Sequence, residues 1–143
     1  MNTGSYLLFV ELPMDIEMTI SGRPKEIKKG IYVYVGSAMK NLKQRINRHV
    51  SYQSGEYKKH WHIDNLLEKG KVISTLAIPS ADRNEEIISS FISNYLEAVP
   101  GFGASDCKNV DSNLYFLKNN LADYFMITKK VLELNCHKDQ KTA

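Results

Sequence analysis

Cysteine is scarce in this chain, long apolar runs are missing, and no repeat or low-complexity stretch is present. Cys107 and Cys136 are the only cysteines, far apart and without a CxxC pair. They do not make a disulfide scaffold and are read as free thiols in a reducing compartment. No apolar run approaches the roughly 20 residues of a membrane-spanning helix. Residues 1–20 lack a basic region followed by an apolar core. The expected address is therefore the cytoplasm, with no membrane partner.

What remains is an ordinary globular composition. A chain of 143 residues buries about two-thirds of its unfolded surface and needs no disulfide or metal to fold. Residues 1–135 are read as one domain and 136–143 as a frayed tail. The net charge of +3 hides a division: Gly22 to Lys71 carries 12 Lys and Arg against 4 Asp and Glu, while the rest carries 7 against 12. A basic segment on a nearly neutral protein points to a polyanion, with nucleic acid ahead of a membrane surface. A solvated lysine-rich surface accounts for the charge equally well.

Along the chain, Ser5–Leu12 is an apolar run that reads as a strand closed by Pro13. Asp15–Ile20 alternates apolar and polar residues, as a half-buried strand does. Ser21–Pro24 is turn chemistry, and Lys25–Lys29 reads as a charged loop. Ile31–Val35 is β-branched and aromatic, hence a strand, and Gly36-Ser37-Ala38 ends it. A helix is expected over Asn41–Tyr52, with Asn41 as N-cap and Leu42, Ile46, His49 and Val50 on its inner face. Ile63, Leu66 and Leu67 suit a short helix ending at Gly70. Lys71–Ile78 is a further strand. Ser80 or Asp82 would cap a helix over Arg83–Ala98, whose buried stripe is Ile87, Ile88, Phe91, Ile92, Tyr95 and Leu96. Leu114–Leu117 is a short strand, and Ala122–Leu134 is partly helical. This order lacks a strict βαβ repeat, so the fold class is α+β, a small, mainly antiparallel sheet flanked by helices. A strand delivering Tyr34, a small-residue turn and a helix carrying Arg45, Arg48 and His49 would suit an anionic substrate.

Five blocks in order resemble the GIY-YIG nuclease superfamily. They are Gly4-Ser5-Tyr6, Tyr34-Val35-Gly36-Ser37-Ala38, Leu42-x-x-Arg45-x-x-x-His49, His60-Trp61-His62-Ile63-Asp64 and Gly101-Phe102-Gly103-Ala104-Ser105-Asp106-Cys107. The last two look like a small subfamily that occurs alone or fused to an endonuclease III-like glycosylase. The literal Gly30-Ile31-Tyr32 is a decoy, because Tyr32 lies two residues before Tyr34 on the same strand. The chain also departs from the subfamily. Asn109 stands near the place of a second cysteine, and Ser112-Asn113-Leu114 replaces Ser-His-Leu.

The resemblance implies a divalent-metal-dependent endonuclease that hydrolyses phosphodiester bonds in DNA, in repair or processing, with one Mg²⁺ or Mn²⁺. It implies Tyr6 as general base, Tyr34 as positioning hydroxyl, Arg45 as phosphate clamp and His49 as support. Tyr6 would then need a pKa below the usual value of about 10, which Arg45 and the metal would favour. The metal ligand would be Glu85 or Glu86, with Glu85 preferred by the pattern that follows it. Dipole compensation at a helix start is the ordinary use of such a pair. Lys43, Arg48, Lys58, Lys59, His60 and His62 would face nucleic acid. Two other readings stay open: a catalytically inactive nucleic-acid-binding module with the same fold, and a zinc-stapled interaction protein using His60, His62, Asp64 and Cys107.

Overall fold

The computed structural model describes residues 1–55, 57–59, 62–103 and 110–142, the last eight of these as backbone alone. Its centre is a nine-residue strand, β1 (Gly4–Leu12), paired antiparallel on one side with β4 (Gly30–Ala38) and on the other with β5 (Lys71–Pro79). The pairing continues from β4 to β7 (Leu114–Leu117) and to the two-residue β6 (Glu97–Ala98). The sheet order is β5-β1-β4-β7-β6, antiparallel throughout. This is the α+β class that the element order predicts.

The near-continuous apolar run of β1 follows from burial on both faces. Tyr6, Leu8 and Val10 point to one side, beneath α1 (Leu42–Val50) and α2 (His62–Leu67). Leu7 and Phe9 point to the other, beneath α3 (Glu85–Ile92) and α4 (Asn120–Thr142). Alternation along a strand therefore assigns each residue of β1 and β4 to one helical layer. No described helix is long and apolar enough to cross a membrane.

Several local expectations change. Lys25–Ile27 is strand rather than loop, which leaves only Lys28-Lys29 irregular: β3 (Arg23–Ile27) pairs with β2 (Ile16–Ile20) in a separate hairpin. Its two-residue turn, Ser21-Gly22, has φ of 52° and 78°, the signature of a tight hairpin turn matched to strand twist. Ile27 alone of β3 is buried, and Pro24 fits because a two-strand ribbon leaves an edge free. α3 stops at Ile92 rather than running to Ala98. The Tyr95 and Leu96 amides both turn back to the Ile92 carbonyl, and Glu97 and Ala98 join the sheet. Ile87 and Tyr95 are consequently exposed, while Ile88, Ile92 and Leu96 are buried. Neither Ser80 nor Asp82 caps α3, because Asn84 holds that position. Val50 on α1 is also exposed. The expected frayed tail is helical in its backbone as far as Thr142.

Asn41 does occupy the N-cap of α1, but with φ 57° and no side-chain cap bond. The cap comes from the chain start. Asn2 accepts the Leu42 amide on its backbone carbonyl at 3.0 Å and the Lys43 amide on Oδ1 at 2.8 Å. A side chain that satisfies a first-turn amide contributes about 1 kcal/mol. Asn2→Ala is therefore expected to lower unfolding free energy by about that amount in urea denaturation, and Asn2→Asp to retain it.

Candidate active site

Gly36 decides the geometry of the site. It lies opposite Tyr6 in the β1–β4 register, and a Cβ at position 36 would fall 2.3 Å from Tyr6 Cζ and 2.4 Å from its hydroxyl oxygen. The bare backbone lets the Tyr6 ring lie across β4 toward α1. There the Tyr6 hydroxyl meets His49 Nε2 at 2.9 Å. The two rings are 5.6 Å apart, and the Tyr34 ring meets His49 edge-on at 6.5 Å.

One residue along, Ser37 points to the opposite face by strand alternation. Its hydroxyl donates to Glu85 Oε1 at 3.2 Å, and its carbonyl accepts from Arg45 Nη1 at 2.7 Å. Ser37 thus links α3 on one face of the sheet to α1 on the other. Tyr6, Tyr34, Arg45, His49 and Glu85 are brought together from β1, β4, α1 and α3. Glu86 is in the same first turn, but it is Glu85 that the Ser37 hydroxyl engages. The excluded Tyr32 lies apart from this cluster. It donates to the Lys28 carbonyl and packs against Phe116, and burial raises its pKa to about 12.

Burial dominates the electrostatics. The Tyr6 phenol is pushed well above its ordinary value by desolvation. Arg45 opposes this and the Glu85 charge adds to it. The expected lowering by Arg45 is therefore real but outweighed in the protein alone. Tyr34 is raised too, by burial and by its neighbours Tyr6 and Glu85. His49, 2% exposed, is lowered to about 4, because burial and the Arg48 and Arg45 charges outweigh Asp64. At neutral pH the pair is a neutral phenol against a neutral imidazole.

The other candidate cations have different surroundings. Arg48 makes a two-pronged pair with the fully buried Asp64, 2.9 Å from Oδ1 and 3.1 Å from Oδ2. It also donates to the Lys58 carbonyl at 2.9 Å and lies against the Tyr52 and Tyr57 rings. Its guanidinium thus ties α1 to α2. Lys59 pairs with Glu68 in solvent at 2.9 Å, whereas Lys43 and Lys58 are exposed. His62 Nδ1 accepts the Gly103 amide at 3.0 Å. His60, Trp61 and the Ala104–Asn109 stretch with Ser105, Asp106 and Cys107 lie outside the described residues. For the zinc reading, the described members Asp64 and His62 are engaged by Arg48 and Gly103. Among the described residues no three His, Cys, Asp or Glu cluster for a metal.

Residues 5–135 match the family described as Domain of unknown function DUF123. The chain belongs to that family. No curated protein and no solved structure matches it. In this DUF123 chain, sequence reasoning missed Ser37 and Asn2. Ser37 was visible only as a small residue after Gly36, and nothing local marks it as the link between Arg45 and Glu85.

A Mg²⁺ or Mn²⁺ ion fits Glu85 on donor chemistry. The half-buried carboxylate supplies a hard oxygen, and ions of this kind retain several waters rather than needing a full protein cage.

The lowered His49 fixes a pH dependence. As pH falls through about 6.5, the unfolded chain takes up a proton that the folded chain refuses until about pH 4. Stability present above pH 6.5 is lost across that window, on the order of 3 kcal/mol for this group. His49→Gln is expected to flatten the fall in Tm between pH 7 and 4.5 relative to the unsubstituted protein. Parallel Tm-against-pH curves would contradict the assignment.

Proposed function

We propose that this protein is a divalent-metal-dependent endonuclease that hydrolyses phosphodiester bonds in DNA. One observation carries the reading. Two tyrosines, an arginine, a histidine and a glutamate converge at Gly36–Ser37 from four separate elements. Their chemistry covers what hydrolysis of a phosphodiester requires: water activation, charge neutralisation and leaving-group support.

Arg45 donates to the Ser37 carbonyl, and its planar guanidinium would clamp the scissile phosphate. Tyr6 acts as a relay and never as a stored phenolate. The attacking water gives a proton to the Tyr6 oxygen while the phenol's own proton passes to His49 Nε2, 2.9 Å away. This route suits a tyrosine whose burial raises its pKa, because the phenol ends each transfer neutral. Protonated His49 then returns a proton toward the leaving oxygen through Tyr6, resetting both groups. Tyr34, held between the His49 and Phe102 rings, orients the phosphate. Glu85 would hold the divalent ion, which when bound supplies water acidity and neutralises phosphoryl charge. The exposed Lys43 and Lys58 would add salt-sensitive backbone contacts.

The same electrostatics favour one second reading, a binding module without catalysis. A neutral His49 and a raised Tyr6 make a weak base unless bound charges retune them.

Arg45→Ala and Glu85→Gln are each expected to reduce Mn²⁺-dependent plasmid nicking at least about 100-fold while circular dichroism and Tm stay near those of the unsubstituted protein. Full nicking by both variants would overturn the mechanism. A dead Glu86→Gln beside an active Glu85→Gln would move the ligand by one residue. The binding module instead requires salt-sensitive DNA binding with no nicking in any divalent metal.

A further inference from the structure

Arg48 holds more than Asp64. Its guanidinium carbon lies 5.6 Å from the centre of the Tyr52 ring and 5.2 Å from that of Tyr57, within cation–π range of both. The two rings are nearly parallel, with centres 6.1 Å apart and planes inclined by 16°. Tyr57 also lies against bare backbone, because a Cβ at Gly55 would overlap its ring. A guanidinium, a second ring and a glycine thus fix one aromatic side chain. Tyr52 is 8% exposed, but Tyr57 is 43% exposed. Holding a large ring still in water gives the fold little, because ordering it costs entropy and the exposed part buries nothing.

The ring borders an open hollow of about 560 Å³, lined also by Tyr52, Gln53, Gly55, Glu68 and Lys69. That volume is within the range of small-ligand sites, and all of these residues except Tyr52 are exposed. Gln53 Nε2 donates to the Leu67 carbonyl at 3.0 Å and to the Gly70 carbonyl. It therefore ties the single 3₁₀ turn Tyr52–Ser54 to the end of α2. The surroundings are basic. Exposed Lys58 follows Tyr57, Lys69 lines the hollow, and Lys59 offsets Glu68. Tyr52 comes three residues after His49, so the hollow lies off the C-terminal end of the helix that carries Arg45 and His49.

We propose that Tyr57 is a stacking platform for an unpaired base of the bound polynucleotide. The proposal rests on the polynucleotide reading above and names the form of substrate, a strand with at least one base out of the duplex near the cleaved bond. In a perfect duplex both faces of every internal base are already covered, whereas an unpaired base offers a π-face to an aromatic ring. Stacking of this kind tolerates any base, and lysines beside the ring would follow the strand's phosphates.

Tyr57→Leu keeps an apolar side chain beside Arg48 and removes the π-face. Fluorescence anisotropy with a labelled single strand and a perfect duplex of equal length reads the effect. Binding of the single strand is expected to weaken by about 5–100-fold, with binding of the duplex unchanged and Tyr57→Phe like the unsubstituted protein on both probes. Tyr57→Trp is expected to keep single-strand binding and to show quenching on titration beyond that of the unsubstituted protein, in which Trp61 is the lone tryptophan. Unchanged single-strand binding by Tyr57→Leu, or an equal loss on both probes, would overturn the proposal. A loss in Tyr57→Phe as large as in Tyr57→Leu would assign the effect to the hydroxyl and overturn it too. If the leucine variant does not fold by circular dichroism, the tryptophan variant decides, and absence of the added quenching overturns the proposal. In each of these cases salt-sensitive DNA binding and Mn²⁺-dependent nicking by the unsubstituted protein would keep the polynucleotide reading intact. Absence of binding to either probe by the unsubstituted protein would overturn that reading and the proposal with it.

Discussion

The Tyr6 ring lies across Gly36 with its hydroxyl on His49, and the rest of the site depends on that contact. It requires a glycine opposite the tyrosine, because a single methyl group at position 36 would fall inside the ring's van der Waals envelope. It requires β1 and β4 in their observed register, because a slip of one residue would turn Tyr6 to the other helical layer. It also requires α1 to start where it does, so that His49 arrives over the strand pair. Asn2 helps set that start by capping α1 from the beginning of β1's own approach. Chain start, central strand pair and basic helix are therefore one mechanical unit.

Ser37 extends the unit across the sheet. Consecutive strand residues face opposite layers, so Gly36 and Ser37 together reach both. Gly36 admits the tyrosine on the α1 side, and Ser37 holds Glu85 on the α3 side while its carbonyl steadies Arg45. Burial then biases the two tyrosines and His49 toward neutrality, raising the tyrosines and lowering the histidine. On the proposed function, the chemistry of the site depends on what the phosphate and a divalent ion would add.

Much of the frame is legible in the sequence because it is driven by local patterns. β1 and β4 read as strands from their β-branched and aromatic runs, and α1 from its period. β5 and β7 appear where the apolar runs place them. Other features depend on partners distant in sequence and leave no local mark. Arg48 looks like a free surface cation until Asp64, 16 residues on, is seen holding both its nitrogens. β3 contains Pro24 and three charged residues, so only the paired hairpin reveals it as a strand. α3 ends early because Glu97 and Ala98 are claimed by β7, a competition that helical periodicity does not register. The five residues of the site are nameable in advance only through the resemblance. Their convergence on Gly36–Ser37 is a property of the fold.

The central claim is that one divalent ion binds at Glu85, beside the tyrosine–histidine pair and Arg45. Anomalous diffraction from crystals soaked in Mn²⁺ tests it most directly. The account predicts a single peak within coordinating distance of the Glu85 carboxylate that disappears in Glu85→Gln crystals. No peak near Glu85 or Glu86 at saturating Mn²⁺, or a peak that survives the substitution unchanged, would contradict it.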